Sequence, residues 1–501
     1  MIELIKNIKP DNRSPLEQQQ KVLFKLLKKA KWTEFGKHYQ FSKIKSSSNP
    51  ILAFQEAVPV FDYEKMYQEW WKRTINNEQN VSWPGDVKYF ALTSGTSVGS
   101  SKFIPVTDDM IKAIKLVGTR IFLRFAKKEY RHLVKKRALM LGGSSSLNQG
   151  NGALVGDLSG INLSNTPFWF RPIYLPGRKI SDIKDWDQRI DAIVKKAPEW
   201  DVGIISGIPS WVSLMIERII DHYNLDTIHD IWPSLGAFVH GGIAFSPYKK
   251  SFEHLFAKPM IYVDTYLASE GFIAYQKAMD DEYMTLVLNN DIFLEFIPFD
   301  EDHFDSEGTL INSDDIVDYS RVEEGKDYAI LLSNSAGAWR YQIGDVIRIM
   351  DKAKCQISIV GRTKLFLSVC GEHLSIDNMN MAVMAAEKKF GISIPEYTVM
   401  SVPKNNFFTH KWFVGHTGEV NTEVLRNFID HKLMELNDDY RTERSSVLQD
   451  IEMEILAPDV FFEFLTKQGK KGGQNKFPRV LKGKIKDSWK EFISEKMNNI
   501  S

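Results

Sequence analysis

The sequence predicts an α/β protein with a large N-terminal domain and a small, mobile α+β C-terminal domain. Before about residue 364, short apolar runs that end in Gly or Ser turns alternate with helical patterns, which is typical of α/β folds. After that point, two helical stretches and three strand-like runs follow in a compact order. A chain of 501 residues has room for one large domain and a smaller one.

The first elements are a helix, a strand and a polar loop. LEQQQKVLFKLLKKA at 16–30 has apolar residues at helical spacing, with lysines toward its end. YFALT is a short apolar run that suits a buried strand, and a helical pattern follows Asp108. We therefore expect the loop TSGTSVGSSK at 93–102 to join a strand to a helix.

The later elements follow the same logic. Further strands of the large domain are expected in RALML, DVGIISG, GAFVHGG, PMIYVDTYLASEG and YAILLSN. In the small domain, helices are expected in IDNMNMAVMAAEKKF and TEVLRNFIDHKLMEL, and strands in EYTVMSV, KWFVGH and IEMEIL. Ligands of α/β folds gather at the carboxyl ends of the strands, so the Gly/Ser turns should meet around one crevice.

Charge and cysteine content exclude several classes of protein. Lys+Arg and Asp+Glu both number 64, so the chain lacks the basic surplus that favours nucleic acid or an anionic membrane. Its two cysteines, Cys355 and Cys370, form no CxxC pair and fit a reducing compartment. The first residues do not resemble a signal peptide, and no apolar run reaches the roughly 18–20 residues that span a bilayer. We expect a cytoplasmic protein.

The loop at 93–102 has the chemistry of an anion site. Glycine lets backbone N–H groups converge on an anion, hydroxyl groups add donors, and Lys102 adds a full positive charge. The Walker A spacing does not fit, because Gly95 and Gly99 are too close together and Lys102 does not follow a glycine. The Rossmann pattern G-x-G-x-x-G does not fit the loop either. A solvated surface loop remains the alternative.

Four motifs in order resemble those of the adenylate-forming enzymes. TSGTSVGSSK resembles their phosphate-binding loop, TYLASEG at 265–271 their Tyr-x-x-[ST]-Glu segment, and WRYQIGDV at 339–346 their Tyr-Arg-x-Gly-Asp segment. GRTK at 361–364 resembles the hinge between their two domains. Within that superfamily, HGGIAFSPY at 240–248 and GQNKFPRV at 473–480 are similar to the Gretchen-Hagen-three family, the acyl acid-amido synthetases of auxin and jasmonate conjugation.

The resemblance implies a fold, a reaction and two cofactors. The fold would be of the firefly-luciferase-like type, with a large domain at 1–363, a small domain at 364–501 and a hinge near 361–364. The activity would be that of an ATP- and Mg²⁺-dependent ligase, which adenylates a carboxylic acid with release of pyrophosphate and then transfers the acyl group to an amino acid with release of AMP. Gln342 stands where the family usually has Arg, and Ala268 where Ser is common, which favours a distant, bacterial-like branch.

The resemblance also assigns roles to individual residues. Lys102, Glu270 and Lys476 would be catalytic, and Glu270 would also hold Mg²⁺. Lys364 would be the hinge residue, while Arg120 and Trp211 are candidates for the pocket of the acid. The residues assigned to ATP are Ser94, Gly95, Thr96, Ser97, Gly99, Tyr266, Ser269, Asp345 and Arg362.

Plainer readings of the same residues stay open. Glu270 also fits a helix-start carboxylate, Asp345 a strand-end turn, Tyr266 a buried strand tyrosine and Lys476 a solvated lysine. At the level of function, an acid–coenzyme A ligase shares the first half-reaction, and a nucleotide-binding scaffold without activity is the non-enzymatic alternative. The sequence does not name the acid, the amino acid or the oligomeric state.

Overall fold

The computed structural model describes most of the chain. The described residues are 11–93, 102–150, 153–166, 170–242, 245, 249–305, 308–363, 367, 374, 376–404, 407–437, 440–441, 444, 448, 450–469 and 477–498. Within these ranges, no helix has the length and apolar character needed to cross a membrane.

The first helix shows how the sequence sets its own boundaries. Ser14 and Glu17 form a capping box, and Pro15 occupies the first turn, where its missing N–H costs nothing. One face of the helix, which includes Leu23 and Leu27, is buried in the core. In chain order the helices are α1 (Pro15–Ala30), α2 (Glu34–His38), α3 (Phe41–Lys45), α4 (Pro50–Ala57), α5 (Tyr63–Met66), α6 (Lys72–Ile75), α7 (Asp108–Arg124), α8 (Arg131–Val134), α9 (Leu158–Ser164), α10 (Arg178–Ser181), α11 (Trp186–Lys196), α12 (Pro209–Tyr223), α13 (Lys249–Glu253), α14 (Ile376–Phe390), α15 (Thr422–Leu436), α16 (Asp459–Lys467) and α17 (Gly483–Asn498).

The strands form three sheets in the described part of the chain. They are β1 (Tyr89–Thr93), β2 (Lys102–Val106), β3 (Arg137–Leu141), β4 (Asn148–Gln149), β5 (Leu154–Gly156), β6 (Tyr174–Leu175), β7 (Val202–Gly207), β8 (Ala237–Gly241), β9 (Ile261–Ala268), β10 (Gly271–Tyr275), β11 (Met284–Leu286), β12 (Ile292–Pro298), β13 (Asp327–Asn334), β14 (Tyr341–Asp351), β15 (Gln356–Arg362), β16 (Glu396–Lys404), β17 (Phe407–Gly415) and β18 (Glu452–Leu456).

The largest sheet has the order β12-β13-β14-β15-β11-β10-β9-β8-β7-β3-β6. Its strands β6, β3, β7, β8 and β9 pair in parallel, and the remaining pairs are antiparallel. Helices such as α11 and α12 lie between successive parallel strands along the chain, as parallel pairing requires. The two other sheets have the orders β2-β1-β5-β4 and β16-β17-β18. The α/β prediction is confirmed, and so is each strand and helix that the sequence analysis named.

The prediction that the polar loop joins a strand to a helix is wrong. Lys102–Val106 forms β2, which pairs antiparallel with β1, so the loop joins two strands and helix α7 begins only at Asp108. The edge position of β2 explains why a strand forms there in spite of Pro105, because an edge strand tolerates a residue without an N–H. Thr93 and Lys102 are partners in the register.

The buried apolar clusters differ on the two sides of residue 363. One large cluster joins α1–α5 and the strands β9–β14, and a second packs α11 and α12 against β3 and β7. Two further clusters are built from residue 367 onward, around α14–α15 and around α16–α17. This distribution is compatible with a boundary near 363, which stays a prediction.

Candidate active site

Glu270 lies in the tight turn between β9 and β10, where the sheet changes from parallel to antiparallel pairing. Its side chain is only 8% exposed. The Asn334 side chain donates a hydrogen bond of 2.6 Å to the Glu270 carbonyl and fixes the turn. Gly271 has φ +141°, and a Cβ there would come within 2.9 Å of the end of the Ile292 side chain, so a larger residue would strain the backbone and require Ile292 to shift. The turn therefore presents a carboxyl group in a fixed, buried position.

Three side chains form a polar network next to this turn. The Tyr266 hydroxyl donates to Asp345 Oδ2 in a short hydrogen bond. Arg362 Nε lies 2.9 Å from Asp345 Oδ1, and Arg362 Nη2 donates to the Ile343 carbonyl at 2.6 Å. Asp345 and Arg362 are register partners on β14 and β15. Strand pairing thus positions a carboxylate that retains acceptor sites, since an ionised carboxyl has about four.

Electrostatic effects link this network to Glu270 and Lys102. Burial raises the pKa of Glu270 to about 7, and the nearby Asp345 carboxylate adds to the shift. Arg362 and Lys102 act in the opposite direction on the same carboxyl. The pKa of Tyr266 is well above its usual value, first because of burial and then because of Asp345. The site holds two neighbouring carboxyl groups, so an additional positive charge would stabilise their ionised forms.

Lys102 stands at the start of an edge strand and faces the same region. Its ammonium group is 5.2 Å from the centre of the Tyr63 ring. The Tyr63 hydroxyl accepts a hydrogen bond of 2.9 Å from the backbone N–H of Phe103, which ties β2 to helix α5. The lysine that the sequence singled out is therefore held on a strand and is close enough to Glu270 to influence its pKa.

The structure brings six of the predicted site residues together and describes two others elsewhere. Lys102, Tyr266, Glu270, Asp345 and Arg362 interact as described above, and Ser269 lies in the same turn as Glu270. Several predicted residues lie outside the described ranges: Ser94, Gly95, Thr96, Ser97, Gly99, Lys364 and Lys476. No group of three or more His, Cys, Asp or Glu side chains that could hold a metal occurs among the described residues.

The two candidates for the acid pocket have other contacts. Arg120 Nη1 donates to Asn289 Oδ1 at 2.8 Å, and burial lowers the pKa of its guanidinium. Trp211 is buried at the start of α12, with its ring centre 4.0 Å from that of Trp186 and 6.4 Å from that of Phe462. Both assignments to an acid pocket stay predictions.

Sequence reasoning missed residues that support the site. Tyr341 is buried beside Glu270, and its pKa is raised well above the usual value by burial and by the Glu270 carboxylate. Asn334 ends β13 and holds both the Glu270 carbonyl and the following turn, where its Oδ1 accepts from the Ala336 N–H at 2.9 Å. Both residues lie in segments that the sequence analysis used, because Tyr341 is part of WRYQIGDV and Asn334 is the last residue of YAILLSN.

Comparisons with known proteins agree with this arrangement of motifs. The models for the N-terminal, central and C-terminal domains of the GH3 family match residues 4–197, 285–362 and 377–484. A probable indole-3-acetic acid-amido synthetase GH3.9 of Oryza sativa subsp. japonica is 28% identical over 180 residues, which cover 34% of this chain and 38% of that protein. A putative indole-3-acetic acid-amido synthetase GH3.9 of Arabidopsis thaliana is 21% identical over 96% of this chain and 94% of its own length.

The fold is also similar to that of a solved structure. The structure is similar to that of a GH3.15 acyl acid amido synthetase, with a TM-score of 0.77, 17% identity and 97% of each chain covered. Together, the three domain models account for most of the chain in the expected order. The chain belongs to the GH3 family.

Proposed function

We propose that the protein is an ATP-dependent acyl acid-amido synthetase, an AMP-forming ligase that joins a carboxylic acid to an amino acid through an acyl-adenylate. The observation that carries the proposal is the buried Glu270 beside the Asp345–Arg362 pair, with Lys102 directed to the same place. The family supports the same reaction class, since relatives are named as amido synthetases of indole-3-acetic acid and of jasmonate.

ATP would bind along the network of the strands β9, β14 and β15. Asp345 has acceptor sites for the two ribose hydroxyls, and Tyr266, which bonds Asp345, would pack near the base. Arg362 would contact the ribose or a phosphate, and Ser269 would add a hydroxyl beside it. The phosphates would lie in the loop of Ser94, Gly95, Thr96, Ser97 and Gly99, with Lys102 as the balancing charge.

The elevated pKa of Glu270 supports a role at the phosphate end of the site. A buried carboxylate next to another carboxylate is stabilised by a cation, and Mg²⁺ favours one or two carboxylates together with phosphate oxygens. We assign Glu270 to hold Mg²⁺ with the nucleotide, where the ion would offset charge on the phosphates. Lys102 would stabilise the negative charge that develops when the acid's carboxylate attacks the α-phosphate, and Glu270 would hold the cation that supplies further positive charge there.

Both half-reactions would use the C-terminal segment. We assign Lys364 as the hinge between a domain at 1–363 and one at 364–501, and Lys476 as a cation that reaches the site during adenylation. Arg120 and Trp211 remain candidates for the acid pocket. The two cysteines favour a reducing compartment, so we place the enzyme in the cytoplasm.

Acid-dependent exchange of pyrophosphate into ATP tests the first step. The acids assayed would include indole-3-acetic acid, jasmonic acid and 2,4-DB, followed by amide formation with the twenty amino acids. Lys102→Ala should lower the exchange rate by about 10²-fold or more. Lys88→Ala removes an exposed lysine that precedes β1 and pairs with Asp108, so it is the matched control and should leave the rate unchanged.

Two results would overturn the proposal. Thioester formation with coenzyme A in place of amide formation would identify an acid–coenzyme A ligase. Binding of ATP without exchange for any acid would identify a scaffold without activity.

A further inference from the structure

A buried arginine outside the Glu270 site has two nitrogen atoms without a hydrogen-bond partner among the described residues. Arg189 is in the first turn of α11 and is 3% exposed. Its Nε and Nη1 atoms are buried and have no hydrogen-bond partner among the described residues. Burial lowers its pKa from a value so high that the guanidinium stays charged. A charge in this position is unfavourable unless an anion accompanies it.

Two tryptophan side chains next to Arg189 also have buried N–H groups without hydrogen-bond partners in the described ranges. Its guanidinium lies 4.9 Å from the centre of the Trp186 ring, which contacts Trp211. The indole N–H groups of Trp186 and Trp211 are buried, and neither has a hydrogen-bond partner in the described ranges. These three side chains therefore place four buried N–H positions without acceptors in one small region.

Asp157 is the charged group that faces this cluster. It precedes α9, yet its side chain makes no capping hydrogen bond. Burial raises the pKa of Asp157, and Arg189 opposes that shift. No hydrogen bond joins Asp157 to the Nε or Nη1 of Arg189. The Asp157 carboxyl lies instead against Gly143, where a Cβ would be 2.1 Å from its Oδ2. A positive and a negative group thus face one region without forming a complete pair.

The cluster lies on the same edge of the sheet as Glu270. Trp211 follows the carboxyl end of β7, Gly143 follows that of β3, and Glu270 follows that of β9. In the sheet order β9-β8-β7-β3, Glu270 and Gly143 are three strand spacings apart, roughly 14 Å. Trp211 also contacts Phe462 of α16, in the C-terminal part of the chain. The cluster therefore borders both the crevice and the segment that is expected to move between half-reactions.

We propose that Arg189, with Asp157 and the indoles of Trp186 and Trp211 beside it, forms the site that recognises the carboxylate of the amino acid acceptor. The carboxylate accepts hydrogen bonds from the guanidinium, for which its planar, two-oxygen geometry is suited. The nearby Asp157 favours a ligand that carries a positive group beside its carboxylate, as an α-amino acid does, over a plain acid. This inference rests on the amido-synthetase function proposed above.

The first test uses the unaltered enzyme. Amide formation is measured with each accepted amino acid and with its α-carboxamide, which lacks the negative charge. The carboxamide should have a KM at least about tenfold higher, because it leaves the guanidinium unpaired. Equal KM values for the two acceptors would overturn the inference and leave the proposed function intact.

The second test uses variants. Arg189→Gln should raise the KM for the amino acid about tenfold or more, abolish the preference over the carboxamide and leave acid-dependent pyrophosphate exchange within about twofold. Arg189→Lys keeps the charge and should restore part of the preference. Lys195→Gln removes one positive charge from the exposed face of the same helix and is the matched control.

The same variants distinguish the proposed site from a site for the acyl acid and from a purely structural role of Arg189. If Arg189→Gln raises the KM for the acyl acid in the exchange assay instead, the site serves the acid and the inference is wrong. If it lowers only the melting temperature, with the preference for amino acids intact, Arg189 is a structural charge and the inference is again wrong. An enzyme that shows no exchange with any acid would contradict the proposed function first and this inference with it.

Discussion

Asp345 and Arg362 face each other on adjacent antiparallel strands, and their side chains form an ion pair of 2.9 Å. The pair is anchored from both sides, by the Tyr266 hydroxyl on Asp345 and by the Ile343 carbonyl on Arg362. The carboxylate is therefore held in one orientation, as the proposed ribose contact requires. Such a preformed acceptor loses little conformational freedom on binding.

Asp345→Asn should weaken ATP binding. The amide replaces one acceptor oxygen by a donor, so charge-assisted hydrogen bonds to the ribose are lost at about 1.5–3 kcal/mol, and the KM for ATP should rise roughly 10- to 100-fold. Pyrophosphate exchange at varied ATP concentration measures this change. Asp327→Asn, which alters the ion pair of Asp327 on β13 with Arg348 on β14, is the control. An unchanged KM for ATP in Asp345→Asn would remove the ribose assignment.

The elevated pKa of Glu270 predicts how stability depends on pH. Because the folded pKa is about 7 and the ordinary value is 4.5, the folded state binds more protons between these values, and stability falls as pH rises through this window. Above pH 7, the free energy of unfolding is lower by about 3 kcal/mol in total. Glu270→Gln should remove it, so the variant should be more stable than the wild type at pH 8 and similar at pH 4.5. Thermal unfolding at both pH values measures the difference.

The same carboxyl should govern the pH dependence of the first half-reaction. If Glu270 must be ionised to hold Mg²⁺, kcat/KM for exchange should rise with pH and level off above about 7. Higher Mg²⁺ concentration should shift the midpoint to lower pH, because the cation favours the ionised form. A midpoint that is independent of Mg²⁺ would argue against the metal assignment.

The buried pair of Glu295 and Arg340 should serve stability and not catalysis. Glu295 is fully buried, Arg340 Nε lies 3.1 Å from its Oε1, and Arg340 Nη1 donates to the carbonyls of Gln55 and Val58 at 2.9 and 2.7 Å. Glu295→Gln should destabilise the fold by about 3 kcal/mol, since it leaves a buried charge uncompensated. Glu323→Gln breaks an exposed pair with Lys326 and should change stability by less than about 0.5 kcal/mol. Denaturant midpoints for the two variants give the comparison.

The hinge assignment makes a kinetic prediction. Lys364→Pro fixes φ at the expected pivot and restricts the preceding residue, so it should slow one half-reaction more than the other. Lys364→Ala changes the side chain but not the backbone freedom, and it should affect both half-reactions equally. Single-turnover measurements of adenylation and of amide formation separate the two steps. Equal rates in Lys364→Pro and wild type would leave the hinge unsupported.

Local pattern was enough to find many of the elements but not their partners in the sheets. Apolar runs such as YAILLSN predicted buried strands, and each one formed. KFIPV was not recognised as a strand, because Pro105 disfavours most strand positions and only the edge location of β2 permits it. Whether a strand lies at an edge depends on pairing with distant residues, which periodicity does not encode.

For the candidate site too, the sequence predicted individual residues but not which distant residues come together. Asp345 and Glu270 are 75 positions apart, and only the resemblance of their motifs to a family linked them before the structure did. Arg189 was missed altogether. It stands in an amphipathic helix where an arginine normally points to solvent, and its burial follows from how α11 packs on α12 and β7.

The register of the first hairpin has a consequence for engineering. Thr93 and Lys102 are direct partners, so the two strand ends that flank residues 94–101 are about 5 Å apart. We expect that the segment between these two ends can be exchanged as a cassette. Lys102 belongs to the scaffold and not to the cassette, so grafted loops from relatives would inherit the same cation.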